Sequence, residues 1–257
     1  MTAPLRFLIL SRGRTGSTLL QQLLDSHHEC VCFEEVFADR PLPPLPEDYP
    51  AGRADAVRVS AGLRETSPTR FMDEFLFADH YADNVRAVGF KLFYMHARSA
   101  DGGALWDSLQ SDTAIRIVHL QRRNILRMFI SMKIANQTGA WWSLDGMPEL
   151  NQRKVVVDPV EFEHYVTQLE LARRQGNELF AKHPVFQIDY EQIEHYQSYD
   201  RRLQDLLEFL ELAPQTLHTP MQRQNPERLE ALISNYEELR ARFEHTPLHT
   251  HFDNSSA

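Results

Sequence analysis

The sequence predicts an α/β fold, in which a mostly parallel sheet is flanked by helices on both faces. Short and nearly continuous apolar runs at residues 5–10, 87–93 and 115–120 are typical of strands that are buried on both sides. Between them lie segments with helical spacing of apolar residues, of which 17–26 is the first. Strands that alternate with helices favour a parallel sheet, because parallel neighbours need a crossover connection.

The other elements continue this alternation. Residues 31–37 are interpreted as a second short strand or as the start of a substrate loop. Residues 40–50 contain five prolines, which exclude a helix or an inner strand and predict a surface loop beside the site. Further helices are predicted at 69–81, around 105–109, and at 125–135, 162–180, 203–212 and 227–243, with a last strand at 185–188.

Composition and charge restrict the class of protein. The chain has 257 residues, 42% of them hydrophobic, so we expect one domain over 1–257, with its core at about 5–243 and a polar tail at 244–257. A net charge of −9 argues against nucleic acid as the main partner, because phosphate backbones demand clustered Lys and Arg. No apolar run reaches membrane-spanning length and the amino terminus has no secretory pattern, so we expect a cytoplasmic protein without a transmembrane segment.

The two cysteines, Cys30 and Cys32, lie one residue apart on an extended segment and should project to the same face. A disulfide between such positions is geometrically awkward, which favours a reducing compartment. Together with His27 and His28 they could also be interpreted as a metal cluster. Zinc sites usually have wider, paired spacings, so we expect no metal.

A glycine-containing loop between the first strand and the first helix is the main candidate site. Backbone N–H groups and the positive end of the helix can bind an anion there, and glycines let the backbone approach it closely. The ATP/GTP motif requires a lysine after its second glycine, where this chain has Ser17. The alternative is a loop that only connects strand to helix. The candidate ligand-binding residues of the loop are Arg12, Gly13, Arg14, Thr15, Gly16, Ser17 and Thr18.

A second candidate anion site follows the strand at 115–120. That strand is followed by Gln121, Arg122, Arg123 and Asn124, and Ser131 lies eight residues after Arg123 on the next helix. The planar arginine fork suits phosphate oxygens, and ligands of doubly wound sheets bind at the carboxyl ends of the strands. The alternative is that Arg122, Arg123 and Arg127 form a solvated basic face.

The two motifs together resemble those of the sulfotransferases that use 3′-phosphoadenosine-5′-phosphosulfate, most of all the carbohydrate and bacterial glycolipid branch. Residues 14–18 are similar to the 5′-phosphosulfate loop of that family, and Arg123 with Ser131 is similar to its 3′-phosphate site. The resemblance extends over about 5–243. Supporting similarities lie at 23–27, at 34–37, where Glu34 replaces a glycine of the family, at 88–92, and at 223–236.

The resemblance implies a P-loop NTPase-like three-layer fold and the transfer of a sulfuryl group to a hydroxyl or amine. The implied product of the donor is adenosine 3′,5′-bisphosphate, no metal takes part, and the acceptor is a small molecule, a carbohydrate or a lipid. Arg14 would act on the transferring group, beside Ser17 and Thr18 at the 5′-phosphate. The 3′-phosphate would be bound by Arg123 and Ser131, with Arg223 as a further contact.

The acceptor also needs a base, and the first choice is Glu35, the second Glu34. The alternative is that both are solvated acidic residues. Other branches of the family use a histidine, so His27, His96 and His119 stay open as bases.

Three more residues are candidates for the site. Lys91 stands in a strand that is otherwise apolar, and a buried lysine must reach a carboxylate or a bound anion. Trp141 and Trp142 could stack on adenine, line the acceptor pocket, or pack in the core.

Two other functions are compatible with parts of the pattern. A nucleotide-dependent phosphotransferase of the P-loop class would need the missing lysine and a carboxylate for Mg²⁺. A catalytically silent nucleotide-binding protein could keep the same fold.

Overall fold

A computed structural model describes residues 3–45, 61–78, 81–97, 103–141, 154–195 and 200–253. Five strands in these ranges form one sheet, and every neighbouring pair is parallel. This confirms the predicted α/β class. The strands are β1 (Leu5–Ser11), β2 (Cys30–Phe33), β3 (Ala87–Phe93), β4 (Arg116–Gln121) and β5 (Val185–Asp189).

The strand order is β2-β3-β1-β4-β5, with β1 at the centre of the sheet. In β1, Leu8 pairs with Phe90 of β3 on one side and with Ile117 of β4 on the other. The chain first builds the side of β3 and then crosses β1 to build the side of β4. The carboxyl end of β1 is therefore a topological switch point, where open α/β sheets bind their ligands.

Helices cover both faces of the sheet, and β1 supplies side chains to both cores in alternation. Phe7 and Ile9 pack into one hydrophobic cluster, and Leu8 and Leu10 pack into the other. This gives the three-layer architecture that was predicted. The helices are α1 (Ser17–Asp25), α2 (Ala61–Thr66), α3 (Pro68–Phe71), α4 (Gly103–Ser111), α5 (Ile125–Thr138), α6 (Pro159–Leu179), α7 (Arg201–Phe209), α8 (Leu229–Leu232) and α9 (Tyr236–Phe243).

Three segments depart from the predicted pattern. The helix expected at 69–81 is α3 followed by a π-helical turn at Met72–Leu76, so it ends earlier. The long helix expected at 227–243 is divided into α8 and α9, because residues 232–234 pair with Val155: the Val155 N–H donates to the Leu232 carbonyl at 2.9 Å, and the Ser234 N–H donates to the Val155 carbonyl at 2.9 Å. In 31–37, only the first residues belong to a strand.

The predicted polar tail is corrected in part. Residues Pro247–Phe252 form a 3₁₀ helix, and Phe252 is buried against the rings of Tyr236 and Phe243. One aromatic side chain therefore extends the core beyond residue 243. Within the described ranges, every helix is too short or too polar to cross a membrane.

Cys30 and Cys32 are both free and buried, and both pack into the cluster that contains Leu20 of α1. The prediction that they share a face is confirmed. Burial raises the pKa of both thiols, which keeps them protonated and unreactive.

Candidate functional site

The loop between β1 and α1 has an unusual backbone that brings it close to its neighbours. Arg14 and Gly16 both have positive φ angles, of 70° and 83°. A Cβ atom on residue 16 would lie 2.2 Å from Cδ2 of Tyr190, so glycine is required there for space as well as for conformation. The Thr15 hydroxyl donates to the Arg12 carbonyl at 2.7 Å and fixes the turn from inside.

A cavity of about 120 Å³ opens beside this loop at the carboxyl ends of the strands. Four of the seven loop candidates line it, while Arg12, Gly13 and Thr15 do not. Its lining consists of Arg14, Gly16, Ser17, Thr18, Leu19, Arg122, Ser131, Trp141, Tyr190, Glu194, Met221, Gln222, Arg223 and Gln224.

Arg14 connects the loop to the far side of the cavity. Its Nε and Nη2 donate to the Ser131 hydroxyl oxygen at 2.9 and 2.8 Å, and it also donates to the Trp141 carbonyl and to the Gln224 side chain. Burial, and next the charge of Arg122, lower the pKa of Arg14 to about 10. The loop and α5 therefore border the same cavity.

Arg122 is the arginine that enters the cavity from the end of β4. Its guanidinium lies 4.3 Å from the centre of the Tyr190 ring, and its Nη1 donates to the Arg14 carbonyl at 3.3 Å. Its Nε is buried and has no hydrogen-bond partner within the described ranges. Burial lowers the pKa of Arg122. A buried donor without a partner, at the wall of a basic cavity, favours an anion as ligand.

Arg123, the residue expected from the resemblance, lies elsewhere. Its side chain is 63% exposed, and its Nε forms an ion pair with Asp189 at 2.8 Å. Its backbone N–H donates to the carboxylate of Glu191. It does not line the cavity, and its neighbour Arg122 does. The chain bends at Arg123, after β4 ends at Gln121, and only Arg122 enters the cavity.

Two further arginines add positive charge close to Arg14 and Arg122. Arg223 lies 3.4 Å from Glu194, whose side chain is only 3% exposed and whose pKa is raised by burial. Arg127 is buried and donates to the Glu227 carbonyl at 3.1 Å. Burial lowers its pKa first, and the charges of Arg223 and Arg122 lower it further. These guanidinium groups repel one another, so the site is electrostatically prepared for a ligand with several negative charges.

The proposed bases lie next to the loop on the side of β3. The buried Lys91 ammonium is 3.2 Å from Oε1 of Glu35, and it donates to the Thr18 hydroxyl oxygen at 3.1 Å. Of the two partners predicted for Lys91, a carboxylate or a bound anion, the structure shows a carboxylate. Arg40 contacts Glu35 at 3.0 Å and Glu34 at 3.7 Å. Glu35 is thus connected through Lys91 to the loop at residues 12–18, the candidate anion loop, whereas Glu34 faces Arg40.

None of the three candidate histidines lines the cavity. Burial lowers the pKa of His96 and of His119 to about 4, so both rings are neutral near pH 7. His119 contacts the Tyr94 hydroxyl at 2.6 Å in the core. His27 contacts the Ala213 carbonyl at 2.8 Å, after the carboxyl end of α1, and so lies at the opposite edge of the sheet. These positions favour structural roles for His27 and His119.

The remaining expectations concern metals and tryptophans. The part of the chain that the structure describes has no group of three metal-ligating side chains, and both cysteines of the suspected cluster are buried free thiols. Trp141 is 46% exposed and lines the cavity. Trp142 and the end of the proline-rich loop, 46–50, lie outside the described residues.

Sequence reasoning did not single out Tyr190, Glu194 or Gln224 as site residues. Tyr190 follows β5 directly, and the carboxyl end of a parallel strand is the signal that could have indicated it. Glu194 and Gln224 lie in turns and extended segments whose position depends on tertiary packing. No local pattern marks Glu194, and Gln224 was indicated only by the resemblance at 223–236.

Comparisons with known proteins agree with this architecture. The model of a family described as the sulfotransferase family matches residues 6–106, which include the loop, Glu35 and Lys91 but not α5. Among solved structures, the chain is similar to the crystal structure of a sulfotransferase from Alicyclobacillus acidocaldarius. The sequence identity is 16%, the match covers 98% of this chain and 95% of the other, and the TM-score is 0.50. No curated protein matches.

Proposed function

We propose that this chain, whose assignment to a sulfotransferase family is supported by the family match and the fold, moves a sulfuryl group from 3′-phosphoadenosine-5′-phosphosulfate to a hydroxyl or amine. The acceptor is a small molecule, a carbohydrate or a lipid. The observation that carries this proposal is the cavity itself. Its lining includes Arg14, Arg122 and Arg223, beside the amino terminus of α1, although the whole chain has a net charge of −9.

The donor has charge at two separate places, and the lining of the cavity draws hydrogen-bond donors from two parts of the chain, the loop with the start of α1 and the segment from the end of β4 into α5. Arg14, Ser17 and Thr18, at the start of α1, are proposed to bind the 5′-phosphosulfate, where the helix end and the hydroxyls supply hydrogen bonds. Arg122 and Ser131, which contact the backbone and the side chain of Arg14, are proposed to bind the 3′-phosphate. Arg223 and the expected Arg123 are the further candidates for contacts with this phosphate.

Glu35 is proposed as the base, with Glu34 as the second choice. The carboxylate of Glu35 accepts the proton of the acceptor while its oxygen or nitrogen forms a bond to sulfur. The bond between sulfur and the bridging oxygen of the 5′-phosphate breaks, and that oxygen leaves with its electron pair on adenosine 3′,5′-bisphosphate. Arg14 stabilises the negative charge that grows on the leaving oxygen. These side chains supply the charge stabilisation that the reaction needs from the protein.

Two alternatives make different predictions. In a P-loop phosphotransferase, a lysine would stand at position 17 to contact the transferred phosphate, and this chain has Ser17 there. A silent binding protein would have no use for a base connected to the anion loop, as Glu35 is through Lys91.

The first experiment compares ligands by calorimetry. We expect adenosine 3′,5′-bisphosphate to bind and ATP with Mg²⁺ to bind much more weakly; the opposite order would exclude the proposed donor.

The second experiment incubates the protein with isotopically labelled donor and a panel of alcohols, sugars, glycolipids and amines, and measures the mass shift of the products. Arg14→Ala should lower the rate of transfer at least about 100-fold, the usual effect of losing a transition-state donor. Donor binding without any transfer would favour the silent protein.

A further inference from the structure

Lys91 has no role in the proposed reaction so far, although it lies beside residues that do. It lies in β3, paired with Ile9 of the central strand, and its side chain is fully buried. Taking an ammonium group out of water costs several kcal/mol unless it is paired. The two oxygens closest to its Nζ, on Thr18 and Glu35, belong to separate segments of the chain. Lys91 is therefore the physical connection between the anion loop and the base.

The contact with Thr18 determines which way that hydroxyl can point. The lysine ammonium only donates hydrogen bonds, so the Thr18 oxygen must accept at this contact. The Thr18 hydroxyl hydrogen is then free to donate elsewhere, and Thr18 lines the cavity. Lys91 thus converts a hydroxyl that could donate or accept into a donor that faces the anion.

The contact with Glu35 fixes one carboxylate oxygen. Oε1 lies 3.2 Å from Lys91, and Oε2 lies 3.0 Å from Arg40. The side chain of Arg40 is 40% exposed, so solvent screens its charge, whereas Lys91 is fully buried in the sheet. The orientation of Glu35 relative to the loop therefore depends mainly on Lys91.

We propose that Lys91 is a positioning residue that couples the donor site to the base: it orients Glu35 toward the transferring group and aims the Thr18 hydroxyl at the donor. This inference rests on the proposed sulfuryl transfer. It predicts that Thr18 and Glu35, which have their common contact in Lys91, affect the reaction as one unit.

The test replaces Lys91 by methionine, an unbranched side chain that can fill the same buried space without charge. For Lys91→Met we expect kcat to fall about 100-fold or more, as for other losses of catalytic orientation, with little change in the KM of the acceptor. Binding of adenosine 3′,5′-bisphosphate, measured by calorimetry, should weaken less than tenfold and so report an intact fold. The matched control, Arg40→Met, removes the other cation from Glu35 without touching Thr18, and its loss of kcat should be much smaller.

A double-mutant cycle gives a second measurement that does not need a folded Lys91 variant. Thr18→Val and Glu35→Gln should have strongly non-additive effects on kcat in the natural background. Additive effects, or a Lys91→Met variant that binds the bisphosphate and keeps kcat within threefold, would overturn the coupling while leaving sulfuryl transfer intact. A natural protein that transfers nothing would instead refute the proposed function on which the inference rests.

Discussion

Arg122 and Arg123 are adjacent residues of the same type with opposite surroundings. Arg122 lines the cavity and lies against the Tyr190 ring, whereas Arg123 is exposed and paired with Asp189. Exposed ion pairs contribute about 0–1 kcal/mol, while a charged hydrogen bond to a ligand contributes about 1.5–3 kcal/mol. The two residues therefore offer a matched comparison within one short segment.

We expect Arg122→Ala to weaken the binding of adenosine 3′,5′-bisphosphate about 10- to 100-fold, because a buried charge-assisted contact is lost. Arg123→Ala should change it less than about threefold, since it removes only a surface ion pair. Isothermal titration calorimetry of both variants checks this. The reverse order of the two losses would show that the exposed arginine is the one that contacts the ligand.

Gly16 and Gly139 both have positive φ angles, of 83° and 71°, but differ in the space around them. A Cβ atom at residue 16 would overlap the Tyr190 ring, whereas one at residue 139, after the end of α5, meets nothing within 4 Å. Gly139→Ala therefore measures the cost of the left-handed backbone alone, about 1–2 kcal/mol. Gly16→Ala adds the overlap to that cost.

In chemical denaturation we expect Gly16→Ala to lower the free energy of unfolding by about 1–3 kcal/mol more than Gly139→Ala does, the usual range for an inserted methyl group. It should also weaken binding of the bisphosphate, because relief of the overlap moves the loop or the Tyr190 ring. Equal destabilisation by the two substitutions would mean that Tyr190 yields without cost.

Many individual residues of the candidate site could be predicted from the sequence. Arg14, Ser17, Thr18 and Ser131 line one cavity, and Lys91 contacts a carboxylate, because these follow from strand ends, helix starts and the cost of a buried charge. The choice between Arg122 and Arg123 was not accessible, since it depends on the exact residue at which β4 ends. Likewise, Tyr190 becomes a wall of the site only when β5 is added beside β4.

Among the elements, α5 connects the fold to the site most directly. Its first residues follow Arg122 closely, and Ser131 lies in its second turn. Its N-cap is Asn124, whose side-chain oxygen accepts from the Arg127 N–H at 3.0 Å. The side-chain NH₂ of Asn124 donates to the Asp253 carbonyl at 3.3 Å. The cap thus fixes the start of the helix that carries one side of the cavity.

Asn124→Ala and Asp158→Ala should have similar effects on stability but different effects on binding. Asp158 caps α6 by accepting from the Val160 and Glu161 N–H groups, and removal of a helix cap costs about 1 kcal/mol. Of these two helices, only α5 contributes to the lining of the cavity, so only Asn124→Ala should weaken bisphosphate binding. Thermal unfolding and calorimetry on both variants test this. Equal affinities of the two variants for the bisphosphate would show that the cap of α5 does not affect the cavity.

The predicted elements failed where tertiary contacts replaced local preference. The segment 227–243 has helical spacing, yet the bridge between Val155 and Ile233 interrupts it. Val155 is distant in sequence, so no local pattern reveals the interruption. The sheet strands were found more accurately, because continuous apolar runs distinguish buried parallel strands from their surroundings.

For the whole molecule, the distribution of charge is more informative than its sum. The net charge is −9, yet several arginines, whose pKa values are lowered by burial first and by one another's charge second, meet at the carboxyl ends of the strands. Their repulsion opposes folding, so an anion bound among them would remove a destabilising contribution.

Adenosine 3′,5′-bisphosphate should therefore stabilise the fold. At a concentration 100 times its dissociation constant, linkage gives about 2.7 kcal/mol, which corresponds to a rise in Tm of roughly 5–10 °C for a chain of this size. Differential scanning calorimetry over a series of concentrations measures it. Adenosine with no phosphate should give a much smaller rise in Tm. An equal rise would show that contacts with the adenosine, and not with the phosphates, supply the binding energy.

The packing of Tyr190 also predicts the order in which segments of the protein unfold. It follows β5, an edge strand that pairs only with β4 in the described sheet, yet its ring packs on Gly16 at the centre. Edge elements open at lower free energy than central strands. In native-state hydrogen exchange, amides at the start of α1 should become unprotected together with β5, before those of β1 and β3. The proposed anion site would then be lost while most of the sheet is still closed.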